Sequence, residues 1–249
     1  MSRNPTELEI LHEDNHLIVV NKKPGDISQN DRTGDESLPD KIKKYIKRKY
    51  QKPGNVFLGV VHRLDRPTSG ALIFAKTSKA LSRLNKMLQS HRIKKTYWAV
   101  VEGIPEKTQD TLIHYLKKNP KNNKTTVFLR ETPGAKKAEL HYKVLKKGDR
   151  YALLEIDLKT GRHHQIRAQL AKAGHPVKGD LKYGAKRSLK NGGILLHARK
   201  LVFDHPVKPQ KLEIIAPLPE GEWSIVKHMT AVGENLNSLK NSPSNKHSQ

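Results

Sequence analysis

Between residues 96 and 158 five short runs, 96–102, 111–116, 125–129, 138–145 and 151–158, follow one another, several of them alternating apolar with polar side chains. Alternation at period two places the apolar residues on one face of an extended chain. The connections are rich in glycine, asparagine or charge, Pro133-Gly134 among them, and such turns favour antiparallel pairing. A chain with this pattern folds around a sheet, and its remaining segments have to pack on that sheet.

Those segments read as four further strands, two of them flanking the loop around Asp65, and three helices. Residues 8–11 and 17–21 pair through His12-Glu-Asp-Asn-His16. A helix begins at Leu38, with Leu38, Ile42, Tyr45 and Ile46 on one side and Lys41, Lys43, Lys44, Lys47, Arg48 and Lys49 elsewhere. A second is capped by Thr77 or Ser78, carries Leu81, Leu84 and Leu88, and ends near His91. A third runs from Thr160 as N-cap to Gly174 as stop, burying Ile166 and Leu170. Arg167 lies beside that apolar stripe, where a guanidinium turned inward calls for a carboxylate partner.

Chemistry concentrates in Gly59-Val-Val-His-Arg-Leu-Asp-Arg-Pro-Thr-Ser-Gly70. One acid, Asp65, lies among His62, Arg63 and Arg66, in a loop between the apolar runs 56–61 and 71–75, both read as buried strands. Neighbouring positive charge favours the ionised carboxylate, which is then available to attack or to accept a proton. The alternative is a plain turn, since Asp, Ser, Pro and Gly all favour turns.

The partner follows from charge. With 48 Lys and Arg against 24 Asp and Glu, the formal net charge is +24, which points to a phosphate polymer. No apolar stretch approaches the roughly 20 residues that span a bilayer, and the N-terminus lacks the apolar core of a secretory signal. The absence of cysteine excludes disulfides, thiolate nucleophiles and cysteine-bound zinc, and suits a cytoplasmic protein. His163 and His164 are adjacent and share no helix face at ligand spacing, so with His12 and His16 they are not assigned to a metal. Gly174-His-Pro-Val-Lys-Gly179 has P-loop glycine spacing, but Asp180 stands where that loop needs lysine. The lysine-rich tip 117–124 and the basic face of the first helix are each either an RNA contact or an ordinary solvated surface.

Taken in order, these pieces resemble the RluA family of pseudouridine synthases. The matching segments are His62-Arg-Leu-Asp65 with Thr68-Ser-Gly70; Lys95-Thr-Tyr97-Trp-Ala-Val-Val-Glu-Gly103; Leu158-Lys-Thr-Gly-Arg162 with His164-Gln-Ile-Arg167; Gly179-Asp180 with Tyr183-Gly184; and Leu196-His-Ala198 ahead of Phe203-Asp-His-Pro206. The resemblance implies an α+β catalytic domain over residues 1–231: a long mixed, mostly antiparallel sheet with flanking helices and a central basic cleft. Residues 232–249 are expected to be a disordered tail.

It further implies isomerisation of uridine within ribosomal or transfer RNA, by base flipping, without cofactor or metal. Asp65 matches the family's nucleophile; addition to C1′, addition to the base and removal of a ribose proton all remain open for it. Arg167 is expected to pair with Asp65, and Tyr97 to stack on the extruded base and assist loss of the C5 proton. Packing within the core is the alternative for Tyr97. Arg63 is a candidate to fill the vacated space, phosphate contact being its alternative. His62, Arg162 and Ile166 complete the expected substrate contacts. His163 stands where a smaller polar residue is common. Many relatives carry a separate N-terminal RNA-binding domain and this chain is expected to lack it, so its own loops and charge would choose the substrate. A monomer with no protein partner is expected.

Overall fold

A computed structural model describes residues 8–30 and 34–232. β1 (Ile10–Glu13) and β2 (Leu17–Lys22) form the expected pair, and Asp14 closes their turn by accepting the N–H groups of His16 and Leu17 at 2.7 and 2.9 Å. α1 (Leu38–Lys49) starts on Ser37, whose hydroxyl accepts Asp40 N–H, and buries Leu38, Ile42 and Ile46. β3 (Gly59–Val60) and β4 (Ser69–Ala75) flank the Asp65 loop. α2 (Ser78–Gln89) is capped by Thr77.

The long antiparallel tract comprises β5 (Lys94–Glu102), β6 (Gln109–Asn119), β7 (Lys124–Phe128), β8 (Lys136–Lys147) and β9 (Tyr151–Leu158). α3 (Gln165–Lys172), β10 (Leu196–Asp204), β11 (Lys211–Ile215) and the short β12 (Thr230–Ala231) follow.

The strands form one sheet in the order β1-β2-β4-β10-β5-β9-β8-β6-β7, with β3, β11 and β12 at its sides. The β4–β10 contact is parallel and the others are antiparallel, which gives the expected mixed, mostly antiparallel α+β architecture. β4 is buried throughout because both of its faces are covered. Leu72 and Phe74 join the core that holds Ile42, Ile166 and Leu170, while Ala71, Ile73 and Ala75 join the one that holds Leu84 and Met87. α1 and α2 therefore cover opposite faces. Gly70 is required where β4 meets β10: at φ 118° a Cβ would lie 2.4 Å from Ala198 O, inside any tolerated contact.

Three local expectations are corrected. The run 56–61 yields only the two-residue β3, and Phe57 is exposed, because β4 offers it little edge. β2 occupies one side of β4, and the other is shared between β10 at residues 69–70 and β3 at 74–75. Between them, His62 Nε2 accepts Ile73 N–H at 3.3 Å, a side chain standing in for a missing strand.

Thr160 does not cap α3. Its hydroxyl accepts Glu139 N–H at the edge of β8 and donates to Gln165 Oε1, so the helix begins five residues later, after His164. β6 is also longer than expected and reaches Asn119, which narrows the basic tip to a tight turn before Lys124. Val232 N–H donates to Leu145 O, and the rest of the expected tail, 233–249, lies outside the described residues. Among the described residues no helix is long and apolar enough to cross a membrane.

Candidate active site

The loop from β3 to β4 delivers Asp65 to an open cleft of about 890 Å³. Among the described residues that line it, Asp65 is the only carboxylate, whereas Arg63, Arg66, Lys95, Lys118, Arg162, Arg167 and Lys182 all contribute to its walls. Such a surface concentrates polyanions and leaves one acid for them to meet.

Arg167 reaches Asp65 from the first turn of α3. Nη1 donates to Asp65 Oδ2 at 2.9 Å, and the same guanidinium grips Asp180 through Nε to Oδ2 at 2.6 Å and Nη2 to Oδ1 at 2.9 Å. Burial opposes the charged guanidinium, but the hydrogen bonds and attraction of Asp180, then of Asp65, prevail and raise its pKa. Asp180 is buried and absent from the cleft lining, while the Asp65 side chain is 29% exposed. Asp65 Oδ1 has no hydrogen-bond partner among the described residues.

Lys22 secures the loop from behind. Its buried ammonium donates to Lys23 O, Arg66 O and Thr68 O at 3.0, 3.0 and 2.7 Å, so two carbonyls flanking the tip of the Asp65 loop hang from one cation at the end of β2. Burial lowers the Lys22 pKa to about 7, against the pull of Asp26 and Asp65. Ser28 adds a clasp, its hydroxyl donating to Leu64 O and accepting Leu64 N–H.

Tyr97, on β5 opposite Ala198 and Ile156, packs with Leu64, Ile166 and Leu196, and all four line the cleft. Burial, then the Asp65 charge, raises its phenol pKa and keeps it protonated. Burial, reinforced by Lys95, lowers His62 to about 3, so its ring is neutral and its Nε2 remains the acceptor for Ile73. Arg63 is exposed and donates to Gln29 Oε1, and Arg162 Nε donates to Lys137 O. The structure thus brings Asp65, Tyr97, Arg167, His62, Arg63, Arg162 and Ile166 to one cleft.

Sequence reasoning missed the contributions of Asp180, Lys22, His164 and Tyr183. Lys22 left a signal as a cation ending the run Leu17-Ile-Val-Val-Asn21, all of it buried. Asp180 stood out in the sequence as a residue that spoils a P-loop and as part of the Gly179-Asp180 match, with no role assigned to it.

The family profile described as RNA pseudouridylate synthase matches residues 16–172. An uncharacterized RNA pseudouridine synthase of Bacillus subtilis, YhcT, is 35% identical over 216 residues, covering 86% of this chain and 69% of that protein. The ribosomal large subunit pseudouridine synthase C of Buchnera aphidicola from Acyrthosiphon pisum is 37% identical over 217 residues, covering 84% and 67%. In fold, the human RNA pseudouridylate synthase domain containing 4 superposes with a TM-score of 0.71 at 24% identity, over 85% of this chain and 89% of that one.

Proposed function

This chain belongs to the RNA pseudouridylate synthase family and is an isomerase of uridine in RNA, and we propose that Asp65 is its nucleophile, acting on a nucleotide flipped out of structured RNA. The reaction breaks the bond from ribose C1′ to uracil N1 and joins C5 to C1′. The C5 proton leaves, and N1 takes one up, so no redox partner or energy source is consumed. The observation that carries the proposal is the division of Asp65 between two tasks. Oδ2 is held by Arg167, while Oδ1 is unbonded among the described residues, in a cleft with no other acid on its lining. An ionised oxygen oriented in this way suits a centre that develops positive character. Paired-acid hydrolysis needs a second working carboxylate; Asp180 does not supply it, being buried against Arg167.

A stacked base cannot reach the cleft floor, so the uridine leaves its helix or loop. Tyr97 and Ile166 clamp it, and the protonated phenol supports stacking rather than proton removal for Tyr97. His62 holds the floor, and Arg63 and Arg162 meet phosphates or the gap left in the RNA. Ribosomal RNA is the first substrate to test, given the name of the Buchnera relative, and transfer RNA the second. The catalytic unit is residues 1–231, working as a cytoplasmic monomer without cofactor.

The test is carbodiimide mapping of pseudouridine in total RNA from a deletion strain complemented with wild-type or Asp65→Ala protein. The wild type should restore at least one site. Asp65→Ala should restore none while binding RNA within a few-fold of the wild type, because dispersed lysines and arginines supply the affinity. Isomerisation by Asp65→Ala would overturn the assignment.

A further inference from the structure

The N-terminus of α3 carries an arrangement that the Asp65–Arg167 pair does not require. His164 precedes the helix with φ 51°, a left-handed conformation rare for a residue with a side chain, and it makes no capping hydrogen bond. It is 9% exposed. Its ring is instead engaged on every side. Nδ1 lies 2.9 Å from the Tyr183 phenol oxygen, Nε2 lies 3.6 Å from Asp65 Oδ2, and His163 stacks on it with centroids 3.7 Å apart. His163 is itself tied to β7, the Thr125 hydroxyl lying 2.8 Å from its Nδ1 and 2.9 Å from its carbonyl oxygen.

The Tyr183 oxygen accepts Thr125 N–H at 2.8 Å, so its own hydrogen is free to go to His164 Nδ1. That leaves the imidazole proton on Nε2, facing the carboxylate. We propose, resting on the reaction assigned above, that His164 is a positioning residue: Tyr183 sets it as the Nε2–H tautomer, and this N–H becomes the second donor to Asp65 when the carboxylate engages the nucleotide. At 3.6 Å the contact in the free protein is too long for a hydrogen bond, and contacts of this kind tighten once substrate is bound. Burial lowers the His164 pKa to about 3, Asp65 opposing and Arg167 reinforcing the shift. The ring therefore acts as a neutral dipole. A neutral donor orients the carboxylate without adding a second full charge that would hold it away from the substrate.

The experiment compares His164→Leu, His164→Gln and Tyr183→Phe in the full chain, with kcat and KM for pseudouridine formation measured separately and the His164 tautomer read from long-range 1H–15N spectra. His164→Leu should lower kcat roughly tenfold to a hundredfold, the kinetic equivalent of one hydrogen bond to a charged group, with KM changed by less than about threefold. His164→Gln, which keeps an N–H donor near the Nε2 position, should recover most of that loss. Wild-type spectra should show the Nε2–H form, and Tyr183→Phe should abolish that preference and lower kcat. A folded His164→Leu with wild-type kcat, a glutamine no better than leucine, or an Nδ1–H tautomer in the wild type would overturn the inference while the isomerase reading stood. Wild-type protein inert on RNA would overturn both.

Discussion

Replacing Asp180 by asparagine separates the two carboxylates that share Arg167. Asp180 is 2% exposed and both of its oxygens accept from the guanidinium. Asparagine keeps one acceptor but turns an NH2 toward the other guanidinium nitrogen, and the compensating charge is lost. Removing one partner of a buried ion pair costs about 3–5 kcal/mol. Asp65 still neutralises part of the guanidinium charge, so the lower end, about 3 kcal/mol, is expected. At ~2–4 °C per kcal/mol for a domain of this size, the melting temperature should fall by roughly 6–12 °C.

Asp65→Asn touches the same arginine but breaks a single bond at a half-buried position. Solvent screening holds its cost to about 1 kcal/mol or less, and isomerisation should vanish. Thermal unfolding followed by circular dichroism, alongside pseudouridine formation, distinguishes the two. Asp180→Asn should retain activity reduced roughly tenfold to a hundredfold through a loosened Asp65. If Asp65→Asn melts lower than Asp180→Asn, or Asp180→Asn melts within about 2 °C of the wild type, Asp180 is not the anchor of Arg167.

The Lys22 ammonium, with its pKa brought down to about 7 by burial, makes a pH-dependent contribution. Between about pH 7 and 10 the unfolded chain binds the proton more tightly, so this group makes stability rise with pH in that window and adds no slope below it. Urea unfolding at pH 7 and 9 should show the wild type gaining about 2 kcal/mol more than Lys22→Met, and equal gains would refute the assignment. Gly70→Ala forces a Cβ to within 2.4 Å of Ala198 O at φ 118°. Its denaturation midpoint should correspond to a loss of more than about 3 kcal/mol, and a midpoint near that of the wild type would show that β4 and β10 can part cheaply. Because every proposed chemical step uses side chains of this chain alone, EDTA should leave turnover of a prefolded short RNA unchanged, and a strict divalent requirement would contradict the mechanism.

The residue order alone determined whatever is local in its physics. Period-two alternation specified β5 to β9, helical apolar spacing from Leu38 placed α1, a cap at Thr77 or Ser78 placed α2, and the excess of lysine and arginine specified a polyanionic partner. Crowding of arginines around Asp65 marked the loop that carries the proposed nucleophile. What the order could not determine depends on which edges and ends meet. Whether 56–61 is a strand rests on how much of β4 is left uncovered, and the fate of Thr160 rests on an unpaired amide in β8. The pairing of Arg167 with Asp65 spans 102 residues, and its sharing with Asp180 exists only because the sheet brings the Asp65 loop, α3 and the turn after it to one point. A periodic pattern reports how a segment is buried. The charge that compensates a buried guanidinium is chosen by three-dimensional proximity, because Coulomb attraction and hydrogen bonding act through space and are indifferent to separation along the chain.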